Sequence, residues 1–512
     1  MRYGLQVAGR RAHAFLALAF LATASALSGC GKVAEAPPRP EVLVVVDTNL
    51  PTPLVAGRLR VDLYAEDGTW FATSDFGRPD ARDWPASFSV YSDDESRARL
   101  VWVRVRVHPE GAVDGYLGER FRDITEPFAR VDGDEQPRIA KDGRDITPAT
   151  EPTPLMTVDR LVLVRLEPQT RGRVRVLLHG ACVGTMVKMG PAGLPVVGQS
   201  ESCVAAEKER EVVAPLPLEV DTLSTPTATL VGTWLTGTCP PAAESDTRVC
   251  IPGGATILGS RENSEYFPGA TFQLDPAPPR VFGLSPFFVD KNELTVKELT
   301  ALVDSGYSGA LPVPYDGVLA QQTVANKLTA CTWSFKAKDR DDYSVTCASY
   351  RAARSICQYR GGDLLTEAQW EHVATVAGHR GKARYPWGDE QPTCERGIWG
   401  RIPLPPRPAD CPLGDGPRRA SEIGTDVSAL GVRGLFGGVV EWVIDDAAPY
   451  ASSAWAKVSI VDPVVVDKGI AQVTRGNSWV SSAQRPTFRF TPVDQDGYQV
   501  PGVRCAYPVK KP

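Results

Sequence analysis

Eleven cysteines punctuate this chain of 512 residues. That count constrains the fold more than any other feature. An exported chain uses cysteines in pairs, so an odd number demands one with a separate job. Arg2, Arg10 and Arg11 precede residue 15 with no acid among them, and the apolar run FLALAFLATASALS fills 15–28. A basic start, a short apolar stretch and small residues form the pattern of a secretory leader. The run is short for a membrane span.

Leu27-Ser28-Gly29-Cys30 resembles the lipobox of bacterial lipoproteins. The resemblance implies a leader over 1–29, cleavage before Cys30 and a lipid on that cysteine. The alternative is an ordinary leader with a chance cysteine. Gly31 offers no acidic retention signal, so the expected address is the outer membrane, facing the periplasm or the cell surface. The full chain carries a formal charge of −5, and losing three leader arginines makes it more acidic. Such a balance excludes the electrostatic footprint of a nucleic-acid binder. Membrane contact is expected through the lipid.

The chain holds 46 glycines and 44 prolines, which points to many turns and few long helices. GKVAEAPPRP makes 30–40 a tether behind the lipid cysteine. From 41 the segments EVLVVVD, RLRVDLYAED, ASFSVYSDD and RLVWVRVRVHPEG read as strands. Val101, Val103, Val105 and Val107 share one face, with Arg104 and Arg106 opposite. That alternation predicts a half-buried antiparallel strand. Residues 41–205 are therefore expected to form an all-β sandwich of immunoglobulin or carboxypeptidase-regulatory type. The charged, Pro-, Ser- and Thr-rich stretch 206–228 reads as a linker in which VVAPLPLEV could add an edge strand.

Residues 229–512 differ. Tryptophans recur, and two helices announce themselves. Thr295-Val296-Lys297-Glu298 has capping-box spacing, with Leu299, Leu302 and Val303 on one face and Gly306 as a stop. Thr366-Glu367-Ala368-Gln369 repeats the device, followed by Trp370, Val373, Ala374 and Ala377, with Gly378 ending the helix.

Several runs in this half resemble the sulfatase-modifying-factor family of formylglycine-generating enzymes, in family order. They are Ile251-Pro252-Gly253-Gly254, the stretch Ser285 to Thr295, the run Cys357 to Glu371, and Tyr385-Pro386-Trp387-Gly388-Asp389. Gly437-Gly438-Val439-Val440-Glu441-Trp442, Arg475-Gly476-Asn477-Ser478-Trp479 and Gly502-Val503-Arg504-Cys505 complete them. The resemblance implies a loop-rich α+β domain of C-type lectin-like fold over 229–512.

In that family two cysteines bind copper(I) and oxidise a substrate cysteine. Soft thiolates suit copper(I). The corresponding positions here are Ser481 and Pro486, so the resemblance implies a domain without the family's oxidase chemistry. The family also binds calcium around its "N-x-x-G-N-x-W-E-W" box. Here the leading asparagine is Gly434, leaving one degraded set, the carbonyls of Gly437 and Val439 with Glu441. The alternative is that Glu441 makes a buried hydrogen bond to backbone. No other cofactor is expected. His372 and His379 lie seven apart and read as solvated helix residues rather than ligands.

Ten cysteines remain beyond Cys30. The resemblance pairs Cys357 with Cys505, a long loop whose closure contributes roughly 4–5 kcal/mol in the chain-entropy model. Sequence neighbours suggest Cys182–Cys203, Cys239–Cys250, Cys331–Cys347 and Cys394–Cys411. Two functions stay open. One is a non-enzymatic envelope lipoprotein whose lectin-like head binds a glycan, a peptide or another envelope protein through the loops 308–346 and 390–432. The other is an oxidoreductase of the same superfamily with a non-standard site. The cleft expected beside Ser478, Trp479 and Ser481 would separate them.

Overall fold

The computed structural model describes residues 3–7, 38–109, 140–141, 144–145, 152–204, 210–220, 228–239, 246–260, 273–314, 331–336, 340–401, 410–411, 424–466, 471–479, 485–491 and 501–509. It divides into two compact units. The first comprises Met1–Asn49, Ala56–Pro152 and Thr157–Val231; the second comprises Leu50–Val55, Thr153–Met156 and Gly232–Pro512.

The first unit is all β. Its strands are β1 (Tyr3–Val7), β2 (Glu41–Thr48), β3 (Arg58–Tyr64), β4 (Trp70–Gly77), β5 (Ala86–Ser92), β6 (Arg99–His108), β7 (Ala140–Lys141), β8 (Arg144–Asp145), β9 (Val158–Leu166), β10 (Arg171–Leu178), β11 (Glu201–Cys203), β12 (Arg210–Val212) and β13 (Glu219–Val220). One sheet runs β1-β5-β2-β10-β13 and another β4-β3-β6-β9. Alternate valines and leucines of both sheets are buried, among them Val44, Val46, Val90, Val103, Val105, Val162 and Val176. β2 and β10 pair in parallel over their whole length, a departure from a purely antiparallel sandwich. Parallel neighbours need a long crossover, which β3 to β9 supply. The stretch expected as a linker contributes β12 and β13, which pair with β11 and β10.

The arginine face of β6 is buried, not half-solvated. Arg104 donates to both oxygens of Asp159 at 2.9 and 2.7 Å, and Arg106 donates to Asp62 at 2.5 Å. Burial of a cation demands such a partner. The partners sit on β3 and β9, on either side of β6, so β6 read alone could not reveal them.

The second unit contains β14 (Arg248–Ile251), β15 (Gly254–Leu258), β16 (Gln273–Leu274), β17 (Arg280–Leu284), β18 (Phe287–Asp290), α1 (Val296–Asp304), α2 (Tyr350–Tyr359), β19 (Asp363–Leu364), α3 (Glu367–Thr375), β20 (Glu441–Asp446), α4 (Ser453–Ala456), β21 (Gln472–Arg475), β22 (Arg489–Phe490) and β23 (Cys505–Pro508). Its small sheets run β14-β18-β23-β19, β16-β22-β21-β20 and β15-β17. This is the loop-rich α+β architecture expected. Thr295 with Glu298, and Thr366 with Gln369, form the two capping boxes. Gly306 and Gly378, just past the helices, take φ of +101° and +79°, which glycine adopts without strain.

Helix α2 was not foreseen. Ser349 caps it by accepting from Ala352 N–H, and Ala352, Ala353, Ile356 and Cys357 are its buried residues. Those positions recur at helical spacing opposite Arg351, Arg354 and Gln358, so both the cap and the period were present in the sequence. All five disulfides have the expected pairing, Cys182–Cys203, Cys239–Cys250, Cys331–Cys347, Cys357–Cys505 and Cys394–Cys411. No helix among the described residues is long and apolar enough to cross a membrane.

Candidate functional site

The motifs that carry the resemblance converge on α3. Its cap places Glu367, Trp370 and Glu371 on a buried face. Glu367 accepts from Arg475 at 2.8 Å and from Arg489 at 2.5 and 2.9 Å. Glu371 accepts from Arg475 at 2.5 Å, from the backbone N–H of Gly259 at 2.8 Å, and from Lys382. Burial opposes ionisation of both glutamates. Arg489 and Arg475 nevertheless hold Glu367 below the usual range, and Lys382 and Arg475 do the same for Glu371. The Arg489 guanidinium also lies 3.7 Å from the centroid of the Tyr450 ring.

A second cluster adjoins this one through Trp370. Glu441 accepts from Trp370 Nε1 at 2.7 Å and from Arg504 Nε at 2.8 Å. Arg504 further donates to the carbonyls of Asp290 at 2.9 Å and Arg433 at 2.6 Å. Glu293 accepts from Val439 N–H at 3.1 Å and from the Ser344 hydroxyl. Burial, reinforced by the charge on Glu441, pushes Glu293 up to about 8. Asp426 accepts from Phe436 N–H at 3.0 Å and Gly437 N–H at 2.8 Å, and burial raises it to about 7.

Calcium can be tested against this geometry. Among the described residues no backbone hydrogen bond reaches the carbonyls of Gly437 and Val439. Glu441 is different. Each of its oxygens already accepts an N–H, and the Arg504 guanidinium stands 2.7 Å from Oε1. A dication bound to that carboxylate would face a buried cation at contact distance. Two carbonyls without a free carboxylate are a poor cage for a hard ion that takes six to eight oxygens. The residues present therefore do not fit calcium at Glu441. The alternative reading of Glu441, a buried hydrogen-bond acceptor, matches its surroundings, with side chains rather than backbone as donors.

The expected cleft also differs. Ser478 and Trp479 are 1% and 0% exposed, so neither lines an open groove. The carbonyl of Trp479 accepts from Arg401 N–H at 2.8 Å, and its own N–H donates to Gly438 at 3.2 Å. Trp479 thus closes against the Gly437–Glu441 loop as a packing residue. Ser481 lies outside the described residues. Pro486 is buried, and its carbonyl accepts from Arg475 at 2.6 Å.

His372 is buried, not solvated. Desolvation lowers it to about 4, and Nδ1 has no partner among the described residues. His379 is half-buried, with Nε2 3.1 Å from the Pro386 carbonyl. Among the described residues no three His, Cys, Asp or Glu side chains converge as metal ligands. Chemically, the arrangement is a set of mutually neutralised, solvent-excluded charges. Sequence reasoning missed Glu293, Glu367, Arg475, Arg489 and Arg504 as one network, although all but Arg489 fall in motifs that carried the resemblance.

The folded motifs define a class. The chain belongs to the family described as sulfatase-modifying factor enzyme 1-like domain, whose model matches residues 237–508. It is similar to the formylglycine-generating enzyme of Thermomonospora curvata, with 26% identity over 260 residues, covering 45% of this chain and 82% of that protein. It is also similar to the inactive C-alpha-formylglycine-generating enzyme 2 of Bos taurus, with 27% identity over 183 residues, covering 34% of this chain and 54% of that protein. Among solved structures, PvdO from Pseudomonas aeruginosa aligns with 17% identity and a TM-score of 0.34, covering 51% of this chain and 93% of that one.

Proposed function

We propose that this protein is an envelope lipoprotein whose family domain is a non-catalytic binding or scaffold module. The observation that carries the reading is the state of its cysteines. Ten of the eleven are joined in five disulfides, which leaves Cys30 alone. Ser481 and Pro486 stand where the resemblance requires thiolates. A copper(I) site of the family's kind has no sulfur to bind it. The inactive bovine relative is compatible with a family member that does no chemistry. Cys30 carries a lipid that holds the protein on the outer membrane, and the ligand of the module is a peptide, a glycan or another envelope protein. The module works without a resident metal, because Arg504 supplies the positive charge that Glu441 needs.

Purified protein supplied with copper(I), oxygen and a cysteine-containing peptide should leave the peptide thiol unchanged, and metal analysis should find no stoichiometric copper or calcium. Conversion of the thiol, or one bound transition metal per chain, would overturn the reading in favour of an oxidoreductase. Labelled palmitate should enter the wild-type chain and be absent from Cys30→Ala.

A further inference from the structure

The outer edge of the first sheet is taken by β1, a segment of the proposed leader. Tyr3 to Val7 pair antiparallel with β5 in continuous register, Tyr3 opposite Ser92, Leu5 opposite Val90 and Val7 opposite Phe88. We infer that the β5 edge is a strand-docking site, which an extended segment of a partner polypeptide fills in the mature protein. The inference rests on the proposed cleavage before Cys30, which removes β1 and opens that edge.

Three observations support it. First, the edge accepts a strand of five residues in register, so its geometry is suited to β-augmentation. Second, β5 lacks the usual guards of an open edge. ASFSVYS has no charge, no proline and no glycine, and its pairing with β2 runs without a bulge from Ala86 to Tyr91. The opposite edge of the same sheet is guarded. β13 is only two residues long, and its Glu219 is held by Arg173 and Arg175. Third, the open edge lies at the anchored end of the chain. Glu41 pairs with Tyr91, and the Pro40 carbonyl accepts from Ser92 N–H at 3.2 Å. The tether from Cys30 to this point can reach no more than about 35 Å when extended.

The register also states the chemistry of the partner. Phe88 and Val90 are buried, while Ser89 and Tyr91 are only partly so. A docking strand needs apolar residues opposite Phe88 and Val90 and accepts small or polar ones opposite Ser89 and Tyr91. The partner is therefore a segment of a membrane-proximal protein in which apolar residues alternate with small or polar ones.

The test uses mature protein extracted in detergent and the synthetic peptide RYGLQVA, which copies residues 2–8, with a Leu5→Pro peptide as control. Without peptide, amides of Phe88–Ser92 facing the open edge should exchange readily. With RYGLQVA they should slow at least tenfold, and the control should have no effect. Slow exchange before peptide is added, or no slowing afterwards, would overturn the docking edge. So would a dimer that RYGLQVA dissociates, because the edge would then belong to a second copy. An intact mass beginning at Met1 would show instead that cleavage had failed and that the leader itself keeps the edge closed.

Discussion

The guanidinium of Arg504 lies 2.7 Å from Oε1 of Glu441, and neither side chain reaches solvent. The pair joins the first residue of β20 to the residue just before β23. It also decides what Glu441 can do, since a carboxylate neutralised inside the fold is unavailable as an exposed ligand. Arg504→Met would leave Glu441 charged and buried. We expect a loss of about 3–5 kcal/mol in denaturant unfolding, the range for breaking a buried ion pair from one side. Arg504→Lys should recover little, because one ammonium cannot also reach the Asp290 and Arg433 carbonyls.

The disulfides should differ in effect by the loops they close. Cys357–Cys505 spans 148 residues and Cys394–Cys411 spans 17. In the chain-entropy model these are worth about 5 and about 3 kcal/mol. Paired Cys→Ala variants compared by thermal unfolding should place the first well below the second, and nonreducing peptide mapping of the parent should recover both bridges.

Asp445 gives a signed pH dependence. It is buried, accepts from the N–H groups of Glu367 and Val465, and burial raises it to about 7. The folded chain therefore holds a proton on Asp445 that the unfolded chain has lost. Its contribution is full below the ordinary carboxylate value near 4 and disappears as pH rises to about 7. His108 and His372, lowered by burial to about 4, act in the opposite sense, and their contribution is lost as pH falls from about 6.5. Glu293 and Asp426, raised by burial to about 8 and about 7, act in the same sense as Asp445, so the parent profile between pH 4 and 7 sums both kinds of group. Asp445→Asn should remove the Asp445 share of the falling component, so that stability rises across this window by at most about 1.4 kcal/mol per pH unit relative to the parent. A variant profile parallel to the parent's would refute the assignment.

Gly437 tests the loop that holds Glu441. A Cβ there would lie 2.7 Å from the carbonyl oxygen of Ile398 and 2.8 Å from its nitrogen. Backbone on that side cannot swing away as a side chain can. Gly437→Ala is expected to cost about 1–3 kcal/mol, the range for overpacking, read from the unfolding midpoint at unchanged slope. Gly431→Ala, where nothing lies within 4 Å of the added carbon but φ is +90°, separates backbone strain from steric contact.

Local chemistry was the legible part. Thr295 with Glu298 and Thr366 with Gln369 fix helix starts because a cap needs only residues three apart. The five disulfides were readable because four join sequence neighbours and the fifth lies between two motifs of one family. Helix α2 was overlooked although Ala352, Ala353, Ile356 and Cys357 recur at helical spacing, because its buried face is made mostly of small residues and the helix is on average polar.

The amino-acid sequence alone determined the leader pattern ending at Cys30, the β-rich first half, the family of the second half, and the absence of cysteine at 481 and 486. These follow from residue identity and short spacing. The tertiary structure alone decided which charges meet. Arg104 and Arg106 looked like a solvent face until β3 and β9 brought Asp62 and Asp159 against them. Glu441 looked like a calcium ligand until β23 laid Arg504 upon it. Ser478 and Trp479 looked like a cleft until the Gly438 loop closed over them. Burial and pairing depend on contacts between residues tens to hundreds of positions apart, and no local pattern encodes them.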